Sequence, residues 1–274
     1  MQERLESFGG AGSKLVFAHA NGYPPGSYRR LLAPLAEHFS VSGYRHRPLW
    51  SREPAPARAN WRQFADDLIA TLEHSDGEPV WIMGHSLGGV VAMLAACKRP
   101  ELFRGLVLLD PVFMPMRLAL GLNLTPRSRL ARIPMVRRAL RRPGRFSSVQ
   151  QAYAFHRDKR AYSGISDDVL WDYIRAGVRA TADGDWELAY SGAWEAAVYS
   201  SLPLVWPRLW KLRLPTLGLR GEHSDILSAA GLRRWAALQP AAELDTLPGG
   251  HLFPLEHPDA TARRVLDFLA RQPA

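Results

Sequence analysis

The sequence predicts an α/β fold with a mostly parallel central sheet, helices on both faces and an inserted helical cap. Three observations predict it. Short, uninterrupted apolar runs at Val16-Phe17-Ala18, Pro79-Val80-Trp81-Ile82-Met83 and Gly105-Leu106-Val107-Leu108-Leu109 alternate with amphipathic segments, the pattern of strands buried on both faces. The turn Gly84-His85-Ser86-Leu87-Gly88 joins the second run directly to the Ala/Val/Leu-rich segment Gly89–Ala96. The strand rhythm then stops near Val112 and resumes only after Lys211.

In chain order, Val16–Ala18 reads as a strand entering the loop His19-Ala20-Asn21-Gly22, and Ser27–Phe39 as a helix with Leu31, Leu32, Leu35 and Ala36 on its apolar stripe. A strand over Val41–Tyr44 and a Pro/Arg loop over Arg45–Ala59 follow. Asn60 is a good N-cap for a helix whose apolar stripe is Phe64, Leu68, Ile69 and Leu72, with Asp66 and Asp67 expected to face away. After the turn at Ser86 and its helix, Gly105–Asp110 is a further buried strand. The stretch 112–211 shows no convincing strand; basic, then aromatic helical segments lead to the Pro-punctuated Leu202–Pro207. An all-helical insertion there is expected to lie over the carboxyl ends of the strands, where doubly wound sheets bind ligands. The expected organisation is thus a core of residues 1–111 and 212–274 with a cap of residues 112–211. Strands at Leu214–Arg220 and Ala241–Leu247 and a closing helix at Ala260–Leu269 complete the core, and no internal repeat is visible.

The 274 residues suffice for one large domain with an insertion or for two modest domains, and 47% apolar content with a mean hydropathy of −0.18 suits a globular protein. No stretch approaches the roughly 18 apolar residues of a membrane span. The first residues, Met1-Gln2-Glu3-Arg4-Leu5-Glu6, are charged rather than signal-like. Cys97 is the single cysteine, which excludes a disulfide framework and makes a reducing cytoplasm the expected compartment. The net charge of +9 is concentrated in one place. Between Pro111 and Ser148 stand Arg117, Arg127, Arg129, Arg132, Arg137, Arg138, Arg141, Arg142 and Arg145 with no Asp or Glu. The remainder is close to neutral, which argues against a nucleic-acid-binding protein and for one locally basic surface. That surface could meet anionic lipid or an anionic acyl carrier, or could simply be solvated.

Glycines two residues either side of Ser86 allow a sharp strand-to-helix turn with the serine hydroxyl at its apex. The following helix aims free N–H groups and its positive dipole end at the same point. A serine hydroxyl needs a base, and the base needs an acid to fix its tautomer and support its charge. His251, in Pro248-Gly249-Gly250-His251, follows one predicted strand, and Asp225, in Gly221-Glu222-His223-Ser224-Asp225, follows the strand before it. Ser86, Asp225 and His251 therefore fall on loops at strand carboxyl ends in the order Ser, acid, His. Asp110, which also ends a strand, is the rival for the acid.

In these three motifs the chain resembles the α/β-hydrolase superfamily, and within it the cap-bearing serine esterases and lipases, over nearly all of its length outside the cap. The resemblance implies an α/β-hydrolase fold, a nucleophile at Ser86, a base at His251 and no cofactor or metal. It also implies an oxyanion hole of two backbone N–H groups, one from Leu87 and one from the loop after the first strand. Here Ala20 stands where the family has glycine, so that donor is Asn21 or Ala20. The implied activity is hydrolysis of a carboxylic ester of a small or medium apolar acyl group. A thioesterase or C–C bond hydrolase would use the same triad, and a hydrolase-fold receptor that has lost turnover is the non-enzymatic alternative. Relatives that open epoxides or displace halide carry aspartate at the elbow, so Ser86 speaks against those reactions.

Overall fold

The structure is a computed structural model that describes residues 4–75 and 77–273; the first three residues of the charged amino terminus therefore lie outside the described residues. Along the chain run β1 (Leu5–Gly9), β2 (Lys14–Ala18), α1 (Arg29–Ala36), β3 (Ser40–Tyr44), α2 (Trp61–Glu73), β4 (Val80–His85), α3 (Leu87–Lys98) and β5 (Phe103–Leu109). Next come α4 (Met116–Leu124), α5 (Arg127–Leu130), α6 (Pro134–Arg141), β6 (Arg145–Phe146), α7 (Val149–Arg157), α8 (Asp167–Gly177), β7 (Val178–Ala180), β8 (Trp186–Leu188), α9 (Gly192–Tyr199) and α10 (Trp206–Leu209). The chain closes with β9 (Thr216–Gly221), α11 (Ala229–Leu238), β10 (Glu243–Leu247), α12 (Phe253–Glu256) and α13 (Pro258–Leu269).

The central sheet has seven strands in the order β1-β3-β2-β4-β5-β9-β10, all parallel except β1 against β3. Its alternating residues feed two buried clusters on opposite faces. Val16 and Ala18 point toward α2 and α3, whereas Leu15 and Phe17 point toward α1 and α13. β4 is buried along its whole length and sits near the middle, so its carboxyl end is held from both sides. That end carries Ser86.

The helix expected over Ser27–Phe39 begins as a 3-10 turn at Pro25–Tyr28 and ends at Ala36. Asn60 caps α2 as expected, accepting from the Arg62 N–H at 3.1 Å. Asp67, however, does not face away: it is buried, and Arg47 grips it through Nε at 2.8 Å and Nη2 at 2.7 Å, a fork-to-carboxylate pairing that offsets its desolvation. The insertion between β5 and β9 is not all-helical either. β6, β8 and β7 form a small antiparallel sheet, invisible in the sequence because runs of two or three residues carry no usable period. The rings of the insertion pack into the two clusters on the faces of the sheet. Phe146, Tyr162 and Tyr173 join the cluster of Leu15 and Phe17, while Tyr190, Trp194 and Trp206 join that of α2 and α3. The cap-like region is thus packed continuously onto the sheet, with a backbone hydrogen bond from Ala59 to Ala197 among its ties.

Candidate active site

Ser86 sits between β4 and α3 with φ 55° and ψ −114°, a left-handed conformation that costs a non-glycine residue about 1–3 kcal/mol. The surroundings enforce it. A Cβ on Gly84 would stand 2.4 Å from the Gly88 carbonyl oxygen, and one on Gly88 would stand 2.0 Å from that of Ala18. Only glycine lets the backbones pass so closely, and the Ser86 N–H is pinned to the Leu109 carbonyl at 3.0 Å. Although Ser86 occupies the N-cap position of α3, its hydroxyl does not cap the helix. Instead it lies 2.9 Å from His251 Nε2.

The other imidazole nitrogen of His251, Nδ1, lies 2.6 Å from Asp110 Oδ2. The acid that meets His251 is therefore Asp110 and not Asp225, whose side chain is exposed on the loop after β9. β5 and β9 are adjacent parallel strands, so both aspartates emerge from the same edge of the sheet and chain order alone does not separate them. Backbone conformation does. Asp110 has φ 41° and is fully buried. Its Oδ1 accepts from the Gly221 N–H at 3.1 Å, and its Oδ2 accepts from the Ser224 hydroxyl as well as from His251. The β9 loop thus serves the site through Ser224, the residue next to Asp225. Three donors on one buried carboxylate fix its rotamer and compensate its desolvation.

Sequence reasoning missed what holds the histidine loop. His85 is fully buried beside Ser86, and burial followed by the nearby His251 drives its pKa well below the usual value, so it is neutral. Its Nε2 lies 2.9 Å from the His251 carbonyl oxygen, which can only accept, so the ring's one proton is on Nε2. Nδ1 then accepts from the Tyr28 hydroxyl at 2.7 Å. His85 is a strut between Tyr28 and the backbone of the residue that faces Ser86. The only sequence signal for it is a polar residue inside an otherwise apolar strand.

The loop after β2 lies on the other side. The Tyr23 N–H donates to the Ala20 carbonyl at 3.1 Å and Gly22 has φ 78°, the signature of a type II turn, which explains why the glycine is displaced from position 20 to position 22. His19 donates from Nδ1 to the Ala20 carbonyl at 2.7 Å and accepts the His46 N–H on Nε2 at 3.2 Å. Asn21 and Leu87, the two expected oxyanion donors, are both buried. Leu87 opens α3, so its N–H belongs to the first turn, which has no acceptor within its own helix. The Asn21 side-chain amide donates through Nδ2 to the Glu195 carbonyl of α9 at 3.2 Å, leaving the backbone N–H out of that bond. Glu195 in turn pairs with Arg142 at 2.9 Å, and a Cβ on Gly22 would touch both side chains. Arg142, counted in the sequence with the basic surface, is thus drawn inward as part of the seat of this loop.

A family model described as the alpha/beta hydrolase family matches residues 15–264. The chain belongs to that family. Among curated proteins it is similar to the 2-(acetamidomethylene)succinate hydrolase of Mesorhizobium japonicum, 23% identical over 264 residues, covering 95% of this chain and 89% of that one. Among solved structures, an E-2-(acetamidomethylene)succinate hydrolase superposes with a TM-score of 0.80 at 22% identity over 97% of this chain and 94% of that one. A thermophilic esterase from Thermogutta terrifontis gives 0.73 at 20% identity over 98% and 93%. At these identities the structural likeness speaks for the fold.

Proposed function

We propose that the protein is a serine hydrolase that cleaves the carboxylic ester of a small or medium apolar acyl group through a Ser86-His251-Asp110 triad and an acyl-enzyme. The observation that carries this reading is the unbroken relay from Ser86 Oγ through the two nitrogens of His251 to Asp110. Ser86 Oγ attacks the acyl carbon while His251 Nε2 takes its proton, and Asp110 supports the imidazolium at Nδ1. The N–H groups of Leu87 and Asn21 receive the tetrahedral oxyanion. His251 returns the proton to the departing alkoxide, then activates a water to release the acid. Ser86 is only 7% exposed, which favours a slim acyl group, and the aromatic rings packed around the β2 loop favour an apolar one.

A second reading, amide hydrolysis, is favoured by one finding: the relative that matches nearly the whole chain is named for a substrate with an acetamido group. The leaving amine would then take its proton from His251. Fluorophosphonate labelling of Ser86, followed by turnover of matched p-nitrophenyl esters and p-nitroanilides, tests both. Stoichiometric labelling that Ser86→Ala abolishes, with ester turnover well above anilide turnover, supports the ester reading. Turnover of small acylamides above the esters replaces it, and absence of labelling overturns both.

A further inference from the structure

The arginines between Pro111 and Ser148 divide in two. Arg142 pairs with Glu195, and Arg145 reaches Asp183 at 2.5 Å and Asp185 at 3.2 Å. The other seven, Arg117, Arg127, Arg129, Arg132, Arg137, Arg138 and Arg141, are exposed, and none forms an ion pair with a described carboxylate. Seven guanidinium groups without a described acidic partner therefore stand exposed along the surface formed by α4–α6. A solvated basic face needs nothing more than this.

This face carries more. In α6, Val136 and Ala139 are buried against Ala196 of α9, whereas Met135 and Leu140 stand in solvent among Arg137, Arg138 and Arg141. In α4 only Ala119 is buried, while Leu118, Leu120 and Leu124 are exposed, Leu124 by 80%. The two helices flank the same element. α6 packs on α9, and α4 is tied just beyond it by Asn123, which exchanges hydrogen bonds with Leu202 at 2.8 and 3.1 Å, and by Arg58, which bonds both the Leu122 and Ser200 carbonyls. Large aliphatic side chains in water are unfavourable, and a polyanion such as nucleic acid gives them nothing to bury against. An acidic bilayer surface offers both partners at once, phosphates for the guanidinium groups and acyl chains for the leucines just below.

We infer that the α4–α6 face docks on anionic phospholipid, with Leu118, Leu120 and Leu124 entering the headgroup boundary and Arg137, Arg138 and Arg141 on the phosphates. The inference does not depend on the bond that the active site cleaves. Full-length protein is sedimented with vesicles of pure phosphatidylcholine or of phosphatidylcholine with 30 mol % phosphatidylglycerol. Binding to the anionic vesicles at low salt should exceed binding to the neutral ones by on the order of 100-fold, and should fall steeply at 0.5 M salt. The triple change Arg137→Gln, Arg138→Gln and Arg141→Gln should lower it by about 100-fold. The triple change Leu118→Ser, Leu120→Ser and Leu124→Ser should lower it by at least about tenfold, each with far-UV circular dichroism unchanged. In the otherwise unaltered chain, Leu124→Trp adds an emission that should shift to the blue with anionic vesicles and stay unshifted with duplex DNA. Equal binding to both vesicle types, wild-type binding by the leucine variant, or a shift as large with DNA overturns the inference.

Discussion

Asp110 and Asp225 follow the carboxyl ends of neighbouring parallel strands, and they meet opposite fates. Asp110 turns through a left-handed backbone into the interior, where three donors receive it. Asp225 continues outward into solvent. The difference shows that a strand end supplies a location, whereas the burial and donors around a carboxylate supply its function. The sharpest way to break the comparison is to exchange the two acids for their amides. Asp110→Asn presents an N–H or a weaker acceptor to His251 Nδ1 and should lower kcat by about 10⁴-fold with KM little changed. Asp225→Asn should stay within a factor of about three, since exposed substitutions away from such a network have small effects. Steady-state kinetics on one ester decides it, and a reversed pattern would return the acid to Asp225.

The same contrast between interior and surface applies to the histidines. Burial pushes His46 and His156 down to about 4, and pushes His19 and His85 well below the ordinary value. A histidine whose folded pKa is depressed binds its proton first in the unfolded chain, so stability falls as pH drops from about 6.5 toward 4. His46 and His156 should each withdraw on the order of 3 kcal/mol across that window. Urea unfolding at pH 7.5, 6, 5 and 4 should show this slope, and a flat profile would mean that these rings are hydrated. At the elbow the clash that a Cβ at Gly88 would make with the Ala18 carbonyl gives the next effect: Gly88→Ala should cost about 3 kcal/mol in the same assay. Smaller again is Ser224→Ala, which removes one donor from Asp110 and leaves the other two. It should lower kcat by about tenfold. A loss as large as that of Asp110→Asn would make the β9 loop an equal partner in positioning the acid.

The sharp turn at Ser86 was fully legible, because the glycines at 84 and 88 stand close to the serine in the chain and the geometry they permit is local. The parallel sheet was legible for a related reason: two-sided burial of β2, β4 and β5 demands continuous apolar runs, and such runs are visible without knowing the neighbours. His251 could be placed by its position after the last strand. The choice of Asp110 over Asp225 could not, since it rests on a φ angle and on donors from Gly221 and Ser224, more than a hundred residues away along the chain. His85 as a strut, Arg142 turned inward to Glu195 and Asp67 buried on Arg47 belong to the same class. Each is a polar side chain whose partner is distant in sequence, and local pattern carries no information about which of two equivalent groups the fold will enclose. Sequence by itself determined the fold and placed Ser86 and His251 on their loops, through local periodicity, steric permission and the order of the strands. Tertiary structure decided which acid is buried, which arginines are spent on the interior and which remain free on the α4–α6 face, because desolvation is tolerable only where distant donors and countercharges converge.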